Sequence, residues 1–288
     1  MPVKRSSHVS ATLDRDHVII IHYEVRYLIT MEESDNHNEE VHRRKGIYLL
    51  PNLLTTAGLF SGFYAIVAAM HSRFEPAAVA IIIAIILDGL DGRVARLTNT
   101  SSEFGAQYDS LSDMACFGIA PALVVYEWSL THMTRLGWAN LGWLAAFFYA
   151  ATAALRLARF NATQQTGDKQ YFMGLASPAA AGVLATMVWT GDDLGYQGSE
   201  LVLPAFFVTI AAGALMVSNV KYASFKDVDF RKRVPFMVII MVVLAFMLLN
   251  TDPPKVLLGA ALIYTLSGPV YSLWLFVRKR RAAGSKSP

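Results

Sequence analysis

Four aspartates lie close together in an otherwise apolar part of the sequence. Asp88 and Asp91 are three residues apart, and Asp109 and Asp113 are four residues apart. Either spacing puts both carboxylates of a pair on one face of a helix, with Cβ atoms roughly 5–6 Å apart. Because the linker at residues 97–104 is short, we expect two antiparallel helices whose aspartate-bearing ends face each other.

This arrangement of carboxylates is suited to binding cations. Four carboxylates at close range repel one another unless cations lie between them. Their hard oxygen atoms select Mg²⁺, Mn²⁺ or Ca²⁺ rather than zinc or copper, and four of them can hold two ions about 3.5–4 Å apart. Two such ions suit phosphoryl transfer, because they neutralise phosphate oxygens and stabilise the leaving group.

The residues between and beside the aspartates fit a phosphate-bearing substrate. Gly92, Ala95 and Gly105 are small and let a bulky diphosphate approach the helix backbone. Arg96 can donate a charge-assisted hydrogen bond to a phosphate oxygen.

The elements that must carry these residues are membrane helices. Hydrophobic residues make up 54% of the chain and charged residues only 16%, against about 25% in a soluble domain. Six runs contain no charged residue and are long enough to cross ~30 Å of hydrocarbon: residues 46–70, 136–155, 170–191, 201–220, 234–251 and 256–277. Two shorter runs, 76–87 and 114–126, reach normal length when they are extended through the aspartates. The sequence therefore predicts an all-α integral membrane protein with about eight transmembrane helices.

Composition also excludes other classes of protein. The single cysteine, Cys116, rules out a disulfide scaffold and a cysteine-rich metal site. A net charge of +3 is too small to indicate a nucleic-acid partner.

The distribution of Lys and Arg predicts the orientation. If both ends of the bundle lie on one side, eighteen basic residues after position 42 fall on that side and only Arg73, Arg135 and Lys255 on the other. The positive-inside rule makes the basic side cytoplasmic, so that both termini and the aspartates lie at the cytoplasmic face. Residues 1–45 are polar and predict a cytoplasmic segment outside the bundle.

The segment from Asp88 to Asp113 resembles the signature of the CDP-alcohol phosphatidyltransferase family. It reads D-x-x-D-G-x-x-A-R, eight residues, then G-x-x-x-D-x-x-x-D. The resemblance implies a six-helix catalytic core, a homodimer and a binuclear metal site. It also implies transfer of a phosphatidyl group from CDP-diacylglycerol to an alcohol, with release of CMP.

The resemblance also implies roles for individual residues. Asp88, Asp91 and Asp109 correspond to metal ligands, and Asp113 to the general base, near the second ion. The expected contacts to CDP are Gly92, Ala95, Arg96 and Gly105. We expect the core at residues 46–220, followed at 221–288 by a basic loop, two further helices and a basic tail.

Three other segments resemble the serine-using branch of the family. The first, residues 46–56, carries Asn52 and Thr55, which could face the cytidine or a phosphate or could instead bond between helices. The other two supply candidate serine ligands: Arg156, Arg159, Asn161 and Ser177. Either arginine could hold a serine carboxylate in a bidentate pair, or could simply anchor its helix at the membrane surface.

Several alternatives stay open from the sequence. Glycerol 3-phosphate, inositol and inositol phosphate are rival acceptors. Charge does not exclude the phosphorylated ones, because Arg156, Arg159 and Lys169 could neutralise an added phosphate. A divalent-cation transporter would also place carboxylates within helices, although all four intramembrane aspartates lie between Asp88 and Asp113 and none corresponds to them after Leu201. A membrane scaffold is a third class. The resemblance favours a bacterial plasma membrane.

Overall fold

The apolar runs of the sequence form helices in the computed structural model. The structure describes residues 50–98, 100, 102–164, 174–220, 222 and 236–284. No strand occurs among these residues, and the predicted all-α class is confirmed for them. Backbone inside a bilayer must satisfy its own hydrogen bonds, and a helix does so within one segment. The predicted polar segment 1–45 and the basic loop that begins at Lys221 lie almost wholly outside the described residues.

The helices follow the predicted runs closely. In chain order they are α1 (Leu50–Met70), α2 (Phe74–Leu97), α3 (Glu103–Asp113), α4 (Ala120–Trp128), α5 (Ala139–Gln164), α6 (Ser177–Asp193), α7 (Val202–Val217), α8 (Phe236–Thr251) and α9 (Pro253–Gly284). A six-residue π-helical segment, Met114–Ile119, joins α3 directly to α4, and a 3₁₀ turn, Leu130–Leu136, precedes α5.

Helix α6 occupies the centre of the bundle. It packs against α2, α4, α7 and α9. Every residue from Ala180 to Thr186 is buried, and most of them are small. Small residues let helix backbones approach closely, and a helix that is apolar all round is normally buried. Helices α5 and α7 form a second close pair, and α7 also contacts α6.

Helix α1 lies against both aspartate-bearing helices through small side chains. The Ser61 hydroxyl donates a hydrogen bond of 2.8 Å to the Ala80 carbonyl in α2. A Cβ atom at Gly62 would lie only 2.7 Å from Sγ of Cys116 in the π segment. The absence of a side chain at this glycine therefore lets α1 reach the segment that follows Asp113.

Two helices among the described residues are long and apolar enough to cross a membrane on those criteria alone: Leu50–Met70 and Asn140–Ala162. The apolar helix Val202–Val217 is shorter. Helix α2 is long enough to span a membrane but carries Asp88 and Asp91 near its end. Helix α3 continues into α4 through the π segment. The number of eight transmembrane helices stays a prediction.

Candidate active site

Three of the four aspartates converge on one point. One carboxylate oxygen from each of Asp88, Asp91 and Asp109 lies within 4.8 Å of the other two. The first two residues come from the last turns of α2, and the third comes from the middle of α3. The short connection after Leu97 turns the chain back, so that the two helices present their carboxylates to each other.

The geometry of these oxygens fits a shared cation. Mg²⁺ and Ca²⁺ bind oxygen ligands at about 2.0–2.6 Å, so two oxygens on one ion lie up to about 5 Å apart. The carboxylates line a cavity of about 10 Å³, comparable to the space that one water molecule needs. The donor set is made of hard carboxylate oxygens, as such cations prefer.

The fourth aspartate borders the same cavity. Asp113 is the last residue of α3, and its carboxyl group is in hydrogen-bonding contact with that of Asp88. It lies outside the group of three whose oxygens can share an ion, although it lines the cavity beside them. Asp113 thus borders the site without belonging to the group of three that can share an ion.

Helix α1 is linked to the aspartate-bearing helices by two hydrogen bonds. The Thr55 hydroxyl lies 2.7 Å from Oδ2 of Asp91 and donates to it, and the Ser112 hydroxyl donates to the Thr55 carbonyl over 3.3 Å. Both side chains are buried. The sequence left open whether Thr55 contacts the nucleotide or bonds between helices; the structure shows an interhelical bond to a carboxylate, and a contact with the nucleotide stays a prediction. Ser112 did not emerge from the sequence, although it directly precedes Asp113.

Loss of the Thr55 hydroxyl is expected to weaken metal binding. In Thr55→Val the Asp91 carboxylate loses the hydrogen bond that orients it, and we expect Mn²⁺ to bind about tenfold more weakly. Titration followed by the electron paramagnetic resonance of free Mn²⁺ measures this. Thr209→Val is the matched control, because the buried Thr209 hydroxyl bonds the Ala205 carbonyl within its own helix, α7. Equal Mn²⁺ affinities for both variants would contradict the assigned role.

The residues expected to contact CDP lie around the end of α2 and the start of α3. Arg96 is exposed, and one of its Nη atoms lies 4.0 Å from the position of a Cβ built on Gly92, which otherwise faces open space. A Cβ on Gly105 would lie 3.4 Å from Oδ1 of Asn52 and 3.1 Å from Oγ of Ser102. Asn52 and Gly105 are thus neighbours across the α1–α3 contact.

Two further residues near the end of α2 and the start of α3 form hydrogen bonds, Ala95 through its backbone and Tyr108 through its side chain. The Ala95 carbonyl accepts a hydrogen bond from the Thr100 amide over 3.1 Å, which closes the end of α2. Tyr108, which sequence reasoning missed, has its hydroxyl 2.9 Å from that of Thr56 on α1.

The four candidate serine ligands separate into two groups. Arg156 donates a 2.7 Å hydrogen bond to the buried Ser177 hydroxyl at the start of α6, and its guanidinium lies within electrostatic range of Asp113 and Asp88. Arg156 therefore lies near the aspartate site and interacts with it electrostatically.

The other two candidates lie further along α5. Arg159 is exposed and donates to Oδ1 of Asn219 over 3.1 Å, and Asn161 donates to the Ser110 hydroxyl over 3.0 Å. Ser110 belongs to α3, so that Asn161 ties the end of α5 to the aspartate-bearing helix.

Comparison with known proteins agrees with this geometry. The family model described as CDP-alcohol phosphatidyltransferase matches residues 48–217, which include all four aspartates. The chain is 36% identical over 232 residues to a CDP-diacylglycerol–serine O-phosphatidyltransferase of Helicobacter pylori, covering 80% of this chain and 93% of that protein. A protein of the same name from Mycobacterium tuberculosis is 37% identical over 188 residues, 62% of each chain. An archaetidylserine synthase of Methanothermobacter thermautotrophicus is 33% identical over 175 residues, 60% of this chain and 69% of that protein.

Proposed function

Because the chain belongs to the CDP-alcohol phosphatidyltransferase family, we propose that it transfers the phosphatidyl group of CDP-diacylglycerol to the hydroxyl of L-serine, giving phosphatidylserine and CMP. The chain is an enzyme of the phosphotransferase class. The observation that carries the proposal is the convergence of Asp88, Asp91 and Asp109 on one point, with Asp113 and Arg156 beside it. The serine-directed names of the relatives support the choice of acceptor.

Two divalent cations, Mg²⁺ or Mn²⁺, are part of the proposal. Asp88, Asp91 and Asp109 would hold them, with Asp113 near the second ion. When bound, such ions neutralise phosphate oxygens and stabilise the departing CMP. The small residue Gly92 and the exposed Arg96 at the rim suit a diphosphate that approaches the end of α2.

The acceptor would be held between Arg156 and Asp113. A guanidinium can pair with a carboxylate through two parallel hydrogen bonds, which fixes the amino acid in one orientation. Because Arg156 lies within electrostatic range of Asp113, we expect a serine bound this way to present its hydroxyl towards that carboxylate. Asp113 would then accept the hydroxyl proton as the oxygen attacks.

The transfer itself would be a single in-line displacement. A bond forms between the serine oxygen and phosphorus, the bond from phosphorus to the oxygen of CMP breaks, and the serine proton passes to Asp113. The buried Cys116 thiol donates to the Gly58 carbonyl, and the Ser112 hydroxyl donates to the Thr55 carbonyl. These two side chains are potential nucleophiles next to the aspartates, and each is hydrogen-bonded to a backbone carbonyl. This supports direct attack by serine over a covalent intermediate.

The arrangement of the chain in the membrane is a further part of the proposal. The family is membrane-bound, and apolar helices such as α1 and α5 agree with that location. We place the protein in the inner membrane as a multi-pass homodimer, with both termini cytoplasmic. The core would comprise residues 46–220, and the last two helices would follow it.

Arg156 is expected to control the affinity for serine. In Arg156→Lys the bidentate fork is lost while the charge is kept, so we expect KM for serine to rise about tenfold or more. KM for CDP-diacylglycerol should change less than twofold. Arg159→Lys is the matched control on the same helix, since the exposed Arg159 bonds Asn219. A larger rise in the Arg159 variant would move the carboxylate site to that residue.

The experiment that tests the function is CMP release by the purified full-length protein with CDP-diacylglycerol and Mg²⁺ or Mn²⁺. Serine, glycerol 3-phosphate, inositol and inositol phosphate are offered separately. We expect release with serine alone. Release with a phosphorylated acceptor or inositol would keep the site and overturn the choice of acceptor. No release with any acceptor, in folded protein that binds Mn²⁺, would favour a cation transporter or a scaffold.

A further inference from the structure

The helix that carries Asp109 and Asp113 changes its geometry directly after the second aspartate. Residues Met114–Ile119 form a π-helical segment in which the Ala120 amide bonds the Ala115 carbonyl, five residues back. Single π turns inside α-helices occur frequently at functional sites. Residues on both sides of this change line the aspartate cavity: Asp109, Ser112, Asp113, Cys116 and Phe117.

Pro121 leaves one carbonyl of this segment without its usual donor. In an α-helix the Phe117 carbonyl would accept the amide N–H four residues later, and that residue is Pro121, which has no N–H. The proline ring also clashes with the carbonyl at that position. Backbone carbonyls inside a membrane bundle are destabilising when unpaired, so a substitute donor is expected.

Tyr149 of α5 supplies that donor. Its hydroxyl donates a 3.0 Å hydrogen bond to the Phe117 carbonyl, and the side chain is fully buried. Helix α5 is close enough for this contact because the next residue, Gly118, is small: a Cβ there would lie 3.3 Å from that of Ala153.

Helix α1 also holds the π segment. The Cys116 thiol donates to the Gly58 carbonyl over 3.3 Å, and Gly62 leaves room for the same cysteine. The π segment is therefore held by two helices, through a side chain of α5 and the backbone of α1. Its register sets the direction in which the end of α3, with Asp113, points.

We infer that Tyr149 is a positioning residue for the aspartate site: its hydroxyl bond to the Phe117 carbonyl fixes the π segment and, through it, the placement of Asp113 and Asp109 relative to α2. The inference rests on the proposed function for its kinetic consequence. Its structural consequence, the geometry of the cation ligands, is independent of the acceptor.

The test is Tyr149→Phe in the full-length protein, which removes one oxygen and keeps the ring. Tyr222→Phe is the matched control, because the buried Tyr222 hydroxyl also donates over 3.0 Å to a backbone carbonyl, that of Thr265 in α9. Three quantities are measured for each variant: the unfolding temperature in detergent, the Mn²⁺ affinity from electron paramagnetic resonance, and kcat and KM from CMP release.

We expect both variants to lose thermal stability and only Tyr149→Phe to lose function. Mn²⁺ affinity should fall about tenfold, the order found when a group that orients a metal ligand is removed. The value of kcat should fall to a similar extent, while KM for CDP-diacylglycerol changes less than twofold. Mn²⁺ affinity and kcat within twofold of the unaltered protein would show a purely structural role and overturn the inference.

A second variant keeps the test decisive if Tyr149→Phe does not fold. Adding Pro121→Ala gives the Phe117 carbonyl a backbone N–H four residues later. We expect this double variant to fold and still to bind Mn²⁺ weakly, because the tyrosine no longer holds the register; normal Mn²⁺ binding would overturn the inference. If the unaltered protein releases no CMP with any acceptor, the proposed function fails, whereas the Mn²⁺ comparison still decides the role of Tyr149.

Discussion

Asp109→Asn is expected to lower kcat for CMP release by at least about 10²-fold, the scale on which removal of one preorganised electrostatic contact affects catalysis. The asparagine has the same size but no charge, so the group of three oxygens that can share an ion is reduced to Asp88 and Asp91. Mn²⁺ binding should weaken in parallel. Steady-state CMP release and Mn²⁺ titration of the same preparation measure both effects.

Thermal unfolding distinguishes this effect from general damage. Without cations, the loss of one carboxylate relieves repulsion in the cluster, so Asp109→Asn should unfold at the same temperature as the unaltered protein or higher. Added Mn²⁺ should raise the unfolding temperature of the unaltered protein and hardly that of the variant. Asp193→Asn is the control, since exposed Asp193 lies 3.8 Å from Lys255 at the far end of α6. Full activity of the Asp109 variant would refute the metal site.

Asp113→Asn is expected to lower kcat by about 10²–10⁴-fold, the contribution typical of a general base. Its side chain lies outside the group of three that can share an ion, so at least one Mn²⁺ should still bind with an affinity within tenfold of normal. The two aspartates of α3 would then differ in kind: loss of Asp109 weakens binding and turnover together, and loss of Asp113 mainly slows turnover.

The same pair of measurements can contradict this division. If Asp113→Asn abolished Mn²⁺ binding as completely as Asp109→Asn, Asp113 would be primarily a ligand and another group would have to accept the serine proton. If kcat changed less than tenfold, Asp113 would have neither role. The carboxyl contact between Asp113 and Asp88 makes a moderate change in cation affinity compatible with the proposal.

The aspartate cluster was the most predictable part of the molecule. Spacings of three and four residues fix which face of a helix a side chain occupies, and a short linker permits little besides an antiparallel return. The structure brings Asp88, Asp91 and Asp109 together as this reasoning expected. Hydropathy also located the helices, because the apolar runs are long and separated by charged segments.

Contacts between distant parts of the sequence were not predictable in this way. The bond from Thr55 to Asp91 joins residues 36 positions apart, and nothing in the local sequence of α1 indicates which carboxylate its hydroxyl meets. The bond from Arg156 to Ser177 is similar: the sequence indicates each residue as a candidate ligand but not that the two are in contact. Such contacts depend on how the helices cross, which small residues such as Gly62 determine.

The π segment escaped sequence reasoning for a different reason. A single π turn shifts the helical register by only one residue, and six residues are too few for a change of period to show in an apolar sequence. Pro121 was the available signal, since a proline inside a helix deprives the carbonyl four residues earlier of its donor. That signal leaves the substitute donor, Tyr149, unidentified until the fold is known.

The most direct test of the central claim uses the purified protein in vesicles that contain CDP-diacylglycerol, with isotope-labelled serine and Mn²⁺ outside. The account predicts that labelled serine enters the lipid fraction in a one-to-one ratio with released CMP, and that both fall together in Asp109→Asn. Entry of Mn²⁺ into the vesicles without CMP release would contradict the account and indicate a transporter. CMP release without labelled lipid would contradict serine as the acceptor.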